Sequence, residues 1–330
     1  MSEDDRSCIY SRQMKGRKLV FKPGFSRYVF NIYFIIVVFI IVSALLKPSF
    51  VAPRHLINIA RQAAPLGIVS IGQTLVILLG GLDLSVGSVI TLTNVLMGAI
   101  SLGRTEMTLQ VVVLCLALGW GIGLTNGVFV AKLRVDPFIM TLAMMLIIKG
   151  VSWVYVGGAP KGFTPPPIRY LATGWIGGVV PLAVITWLIL AGIAILVLHR
   201  TVYGWWVYAI GGNKQAAYLS GARIDLTTLI TYGVCGAGAV VAGLLASGNI
   251  GATSLTLGEE YMLNSLAAVV IGGTNFGGGR GGIAGSIAGS LLLLMIFSIL
   301  TMLNVGYAGR LITRGTILAG AVAFYTKRAT

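Results

Sequence analysis

Gln62 to Gly103 reads QAAPLGIVSIGQTLVILLGGLDLSVGSVITLTNVLMGAISLG, and its one charged residue is Asp83. A helix needs about 20 mostly apolar residues to cross the hydrocarbon core of a bilayer. The stretch divides at Asp83 into two such windows, Gln62–Leu82 and Leu84–Gly103, with almost no room for a loop between them. That predicts two membrane helices with a carboxylate where they meet. Acids inside or beside membrane segments face a cavity or the bundle interior and mark a pathway or a structural lock. Asp83 can cap the second helix by accepting from the amides of Ser85 or Val86, with Ser85 as a further polar cap. It can equally contact a substrate, and both roles stand open.

The pattern continues outward. Tyr28–Leu46 and Met107–Ala131 are uncharged windows, and Pro137–Tyr155 is interrupted only by Lys149, near its outer end. Tyr170–Leu198, Leu226–Gly258 and Gly281–Gly309 each hold a span plus part of a loop, Tyr261–Gly279 holds another, and Leu311–Thr326 contains Arg314. The count is ten. Across 330 residues, 56% are hydrophobic and 10% charged, with 45 glycines and a mean hydropathy of +0.92. Soluble domains carry about 25% charged residues, so a soluble globular protein is excluded, and so is a disordered chain. The expected fold is an all-α, polytopic transmembrane bundle of about ten spans.

The formal charge of +15 would suit a nucleic-acid binder, but the bases sit in the connections between windows, where they set membrane topology. With the N-terminus inside and ten spans, fifteen Lys and Arg fall on the inner side and nine on the outer side. Both termini are therefore expected in the cytoplasm. The division is a basic segment 1–27, one membrane domain 28–326 with a cytoplasmic connection 199–225, and a tail 327–330. The basic stretch Arg12–Arg27 leads into a window with no small-residue cleavage site after it, so the first helix is expected to stay as an anchor. Cys8, Cys115 and Cys235 are odd in number and scattered, which suggests neither disulfides nor a metal site.

Chemistry-bearing motifs are few. Gly277-Gly278-Gly279-Arg280-Gly281-Gly282 fits G-x-G-x-x-G, but no acid follows Glu260 to hold a ribose, which the dinucleotide turn needs. No G-x-x-x-x-G-K-[ST] occurs, so if ATP drives this protein, a partner hydrolyses it. His55 and His199 form no H-E-x-x-H and no metal cluster. No catalytic residues and no cofactor in this chain are expected. Gly119-Gly123-Gly127 and Gly281-Gly285-Gly289 are small-residue stripes that let helices pack closely. Val69–Thr74 and Val269–Thr274 share four of six residues, too little to argue a duplication. Pro165-Pro166-Pro167 predicts an extended path in the outer connection Gly157–Gly178, and Ser247–Glu260 is a further outer connection.

Gly81-Leu82-Asp83-Leu84-Ser85-Val86-Gly87, preceded by Gly72-Gln73-Thr74-Leu75-Val76-Ile77, resembles the membrane permease subunits of ribose-type bacterial ABC sugar importers. The resemblance spans about Leu56 to Phe324. It continues through Val135–Leu142, Ala209–Asn213 with Ala216-Ala217 and Leu219-Ser220-Gly221, and Ala267–Thr274. It implies a multi-pass protein of the bacterial inner membrane, working by alternating access. The implied partners are a second permease subunit, identical or not, cytoplasmic ATP-binding subunits that carry ATP and magnesium, and an extracytoplasmic solute-binding protein. By resemblance, Gly211–Gly221 forms the short coupling helix that seats in the ATPase. Gly211-Gly212 allows a tight entry, Asn213 a cap, and Ala216-Ala217 with Leu219 a small knob for a groove, followed by Ser220-Gly221.

The chain departs from that family at Tyr261-Met262-Leu263-Asn264, where members often carry Tyr-Glu-Leu-Asp, and at Thr274-Asn275-Phe276. Glu259-Glu260 are candidates to dock a basic patch of the binding protein in place of the lost acids. Polar candidates for the transport path are Gln73, Asp83, Ser85, Asn94, Asn264, Thr274 and Asn275. The competing class is a secondary transporter or channel acting alone, with Asp83 coupling an ion.

Overall fold

The computed structural model describes residues 23–306, 308–313, 315–317, 319 and 320. The segment before Pro23, Arg314 and the tail 327–330 lie outside the described residues. Helix α1 (Pro23–Leu46) leads through a 3-10 turn (Pro48–Val51) into α2 (Pro53–Leu78). Pro48 and Pro53 each stand in the first turn, where a missing N–H costs nothing. Then follow α3 (Ser85–Ser101), α4 (Thr108–Ala131), α5 (Pro137–Val156), α6 (Pro166–Thr173), the strands β1 (Trp175–Ile176) and β2 (Val180–Pro181), and α7 (Leu182–Arg200). Then come α8 (Val202–Gly212), α9 (Lys214–Leu219), α10 (Ile224–Ile250), α11 (Glu259–Ile271) and α12 (Ile283–Met302), after which residues 308–313, 315–317, 319 and 320 are again helical.

Among the described residues, five helices are long and apolar enough to cross a membrane: α4, α5, α7, α10 and α12. Phe30–Leu46 and Ser85–Ser101 are shorter apolar helices, and α2 is a 26-residue helix buried almost continuously from Ala63. The protein is an all-α membrane bundle. Following the charge count, the end holding the 199–225 connection is termed inner. Helix α10 runs through the centre against α4, α2, α3 and α6. Exposed Leu, Ile, Val and aromatic side chains cover the outward faces of α1, α4 and α7 and part of that of α5, as lipid contact requires.

Both glycine stripes are helix contacts. A Cβ at Gly123 would land on the Tyr232 carbonyl oxygen, and one at Gly285 on that of Gly272. The stripes thus seat α4 on α10 and α12 on α11. Two expectations need correction. Pro166 and Pro167 open helix α6 rather than extending the chain, because the fixed φ of proline suits a first helical turn as well as an extended path. The window Tyr261–Gly279 yields a helix of only 13 residues, about 20 Å at 1.5 Å per residue, followed by a glycine turn. Alone it is too short to cross.

Candidate functional site

Two irregular segments run into the bundle, one from each end. In lipid every backbone N–H and C=O must be satisfied within the protein or by a water-lined cavity, so each segment needs donors and acceptors from its neighbours. The inner segment, 79–84, turns back at Gly80 (φ +82°) and climbs along α10 to the start of α3. The Leu82 carbonyl accepts from the Tyr232 hydroxyl at 3.2 Å and the Thr141 hydroxyl at 3.5 Å. Asp83 Oδ1 accepts from the Ser85 amide at 2.9 Å and the Ser85 hydroxyl at 2.6 Å. Asn126 on α4 donates to Ser85 Oγ at 2.9 Å. The expected contact to the Ser85 amide is therefore present, and the carboxylate is sealed at 1% exposure, with Cys235 beside it.

The outer segment, 251–258, descends along α3 instead of staying at the surface. Asn94 accepts from the Ser254 amide at 2.6 Å and donates to the Ala252 carbonyl at 3.1 Å and Ser247 Oγ at 3.0 Å. Thr91 Oγ1 accepts from the Gly258 amide at 3.0 Å. A Cβ at Gly258 would strike the Gly87 carbonyl oxygen. Helix α11 therefore starts beside the first turn of α3 and runs toward the inner end. The last residue of α3, Ser101, is 14 residues beyond Gly87, about 21 Å along a helix. Glu259 accordingly lies within the bundle's depth, not on the outer surface, and it pairs with Lys149 at 2.7 Å.

At the inner end α11 gives way to the glycine turn of 272–282. Thr274 Oγ1 accepts from the Gly282 amide at 3.3 Å, and Asn275 Oδ1 from the Gly277 amide at 3.1 Å. The Gly279 amide donates to the Leu78 carbonyl at 2.9 Å, and Gly278 and Gly279 pack directly on Gly211 and Gly212. Burial pushes the Tyr208 hydroxyl up to about 12, so it keeps the proton it donates to the Gly281 carbonyl at 2.9 Å.

The connection 199–225 is itself helical. Asn213 accepts from the Ala216 amide at 2.9 Å and starts α9. Ala217 is buried against Ile210 and Ala222, while Tyr218 and Leu219 are 70% and 79% exposed. Ser220 Oγ donates to the Ala216 carbonyl, and Gly221 turns the chain at φ +82°. Beside α9 is a cavity of about 890 Å³ lined by Arg134, Lys214, Tyr218 and Arg223, with Asp225.

Asp83 and Ser85 thus meet in one network, and Thr274 and Asn275 in one turn. Asn94 is separate, nine residues along α3 from Ser85. Gln73 is fully buried and both its amide atoms lack a hydrogen bond, as does Asn264 Oδ1. Asn126, Thr91 and Tyr232, which hold the two irregular segments, were not among the expected site residues. Only Asn126 gave a signal, as an amide side chain within an uncharged window. Among the described residues, no three His, Cys, Asp or Glu side chains are grouped to hold a metal.

An all-α bundle in which irregular chain enters from both ends and short helices begin at depth belongs to the class of polytopic membrane transport proteins. The chain belongs to the family described as branched-chain amino acid transport system / permease component, whose model matches residues 55–323. It is 38% identical over 299 residues to the ribose import permease protein RbsC of Escherichia coli K12, covering 89% of this chain and 92% of the relative. Against RbsC of Bacillus subtilis 168 the identity is 33% over 293 residues, covering 88% and 90%. Against the galactose/methyl galactoside import permease protein MglC of Salmonella typhimurium LT2 it is 31% over 311 residues, covering 89% and 92%. No solved structure gives a significant match.

Proposed function

We propose that this chain is the transmembrane permease subunit of an ATP-driven importer for a sugar or a similar polyol-like solute. The observation that carries the reading is the near full-length similarity to permeases named for ribose and galactose import. The solute arrives on an extracytoplasmic binding protein, passes through a path made with a second permease subunit, and enters the cytoplasm. ATP and magnesium act on separate ATP-binding subunits. The protein sits in the bacterial inner membrane with ten membrane segments, two of them the broken pair α2–α3 and one the short α11, and with both termini in the cytoplasm. The charge distribution supports that orientation.

The connection 199–225 is the seat of the ATPase. Its support is physical: a capped helix of six residues holds Ala217 inward and offers Tyr218 and Leu219 to the surroundings, an apolar tip beside a basic cavity. Motion of α9 reaches the membrane path through the Gly211–Gly279 and Gly279–Leu78 contacts, which join it to α11 and to the Asp83 segment. An ion-coupled transporter acting alone requires Asp83 to exchange protons with water. Its Oδ1 is engaged by the Ser85 amide and hydroxyl, and the whole side chain is buried at 1% exposure, away from the water that such exchange needs.

The test is co-purification from the native membrane in mild detergent. The wild-type chain brings down an ATP-binding subunit, and Leu219→Arg, on a side chain 79% exposed, folds normally and loses it. A wild-type preparation that transports without ATP and carries no ATPase removes the importer reading.

A further inference from the structure

The pair Lys149–Glu259 is in an unusual place. Lys149 is the thirteenth of 20 residues in α5, about 18 Å from its inner start and about 10 Å from its outer end. Glu259 opens α11 directly after Gly258, which packs on Gly87. The Ser88 hydroxyl donates to the Met145 carbonyl at 2.9 Å, one turn before Lys149. All of these place the pair in the middle of the bundle's depth. Its side chains are nevertheless 45% and 54% exposed. Thr256 and Glu260, on either side of Glu259, are exposed as well, and Thr256 belongs to the irregular segment.

Acyl chains cannot face this surface. Charged side chains at that depth line a cavity or the bundle interior, and irregular backbone there is tolerated only inside protein or beside water. A dry interface with a second subunit would bury two charges without further partners, which their mutual attraction rarely repays. Water is the remaining neighbour. Trp153, four residues beyond Lys149 and so on the same helix face, is 41% exposed. A carboxylate, an ammonium and an indole ring on one wall form a chemical set suited to a sugar: acceptor and donors for hydroxyl groups, and an apolar ring for the C–H face of the sugar.

We infer that Lys149, Glu259 and Trp153 form part of the water-facing wall of the transport path and touch the sugar there, the ion pair at mid-depth and the indole about one helical turn nearer the outer end. The inference rests on the importer reading for the identity of the ligand, and on depth and exposure for the wall. It moves Glu259 from a docking site for the binding protein to the path itself.

Two measurements test it, with ribose and galactose as probes. In assembled transporter lacking the native cysteines, Thr256→Cys, which leaves the ion pair intact, reacts with a charged, membrane-impermeant thiosulfonate, and the reaction slows during sugar transport. Glu259→Gln and Lys149→Gln each lower the maximal uptake rate about tenfold, the scale of one charge-assisted hydrogen bond. Hydrolysis of ATP stimulated by the loaded binding protein persists in both. Failure of Thr256→Cys to react with the charged reagent, while a lipid-permeant maleimide labels it, overturns the wall. Full uptake in both Gln variants overturns the sugar contact. Loss of ATP dependence in the wild type strikes the importer reading alone, because labelling of Thr256→Cys reports the wall with or without an ATPase.

Discussion

Asn94 shows how a single amide governs a path through a membrane protein. Its side chain serves the Ser254 amide, the Ala252 carbonyl and the Ser247 hydroxyl together, and so lets a strand of irregular backbone descend where lipid allows none. Asn94→Ala leaves a half-buried N–H and C=O without their protein partner, at up to about 1 kcal/mol for each group, below the full cost of a buried one. The expected result is a clearly lower unfolding midpoint in detergent. An unchanged midpoint would show that water, not Asn94, satisfies the segment. Asn94 was visible in the sequence as a polar residue in an apolar window, but its partners were not, because Ser254 is 160 positions away. Asp83 was more legible, since its first partner is two residues on and a side chain accepting from a neighbouring amide is a local geometry. The bond of Asn126 to Ser85, across 41 positions, was hidden for the same reason as Asn94's.

The helices themselves were written in the length of the uncharged windows, and the glycine stripes in their four-residue spacing. What the stripes met was not. A Cβ at Gly123 falls on the Tyr232 carbonyl, whereas at Gly121, two residues away on α4, nothing lies within 4 Å. Gly123→Ala therefore forces α4 off α10, at about 1–3 kcal/mol for an overpacked contact, and lowers the yield of folded protein. Gly121→Ala leaves the yield unchanged or raises it, since alanine is the better helix former. Equal yields would mean that α4 slides freely on α10. Windows predict helices poorly where a chain enters and stops. Tyr261–Gly279 is apolar enough for a span, yet its 19 residues are shared between α11 and a turn whose glycines adopt φ values of +68° to +135° at 278, 279 and 281. Composition does not distinguish a helix that ends at depth from one that crosses.

In the molecule as a whole, the end of α2, the α8–α9 connection and the turn after α11 meet through Leu78, Gly211, Gly212, Gly278 and Gly279. A Cβ at Gly279, whose φ is +68°, would stand 2.7 Å from the Gly212 backbone. In the proposed importer, with the ATPase seated on α9, Gly279→Ala is expected to keep that subunit bound and to cut uptake per ATP hydrolysed about tenfold, the scale of a 1–2 kcal/mol change in coupling. Uptake that stays proportional to hydrolysis would place the linkage elsewhere. The family and its transport role were legible because the motifs that carry them are local runs of sequence. This joint was not, since it is made of backbone from segments some 70 to 200 positions apart.

A joint of bare backbone has no rotamers in which to dissipate a displacement, and any coupling it carries has the same free energy in both directions. In the proposed importer, thermodynamic reciprocity then requires that whatever nucleotide binding does to the affinity of the membrane path for solute, solute in the path does to the affinity of the ATP-binding subunit for nucleotide. A transporter built on this joint reports its cargo to its motor before the motor has turned.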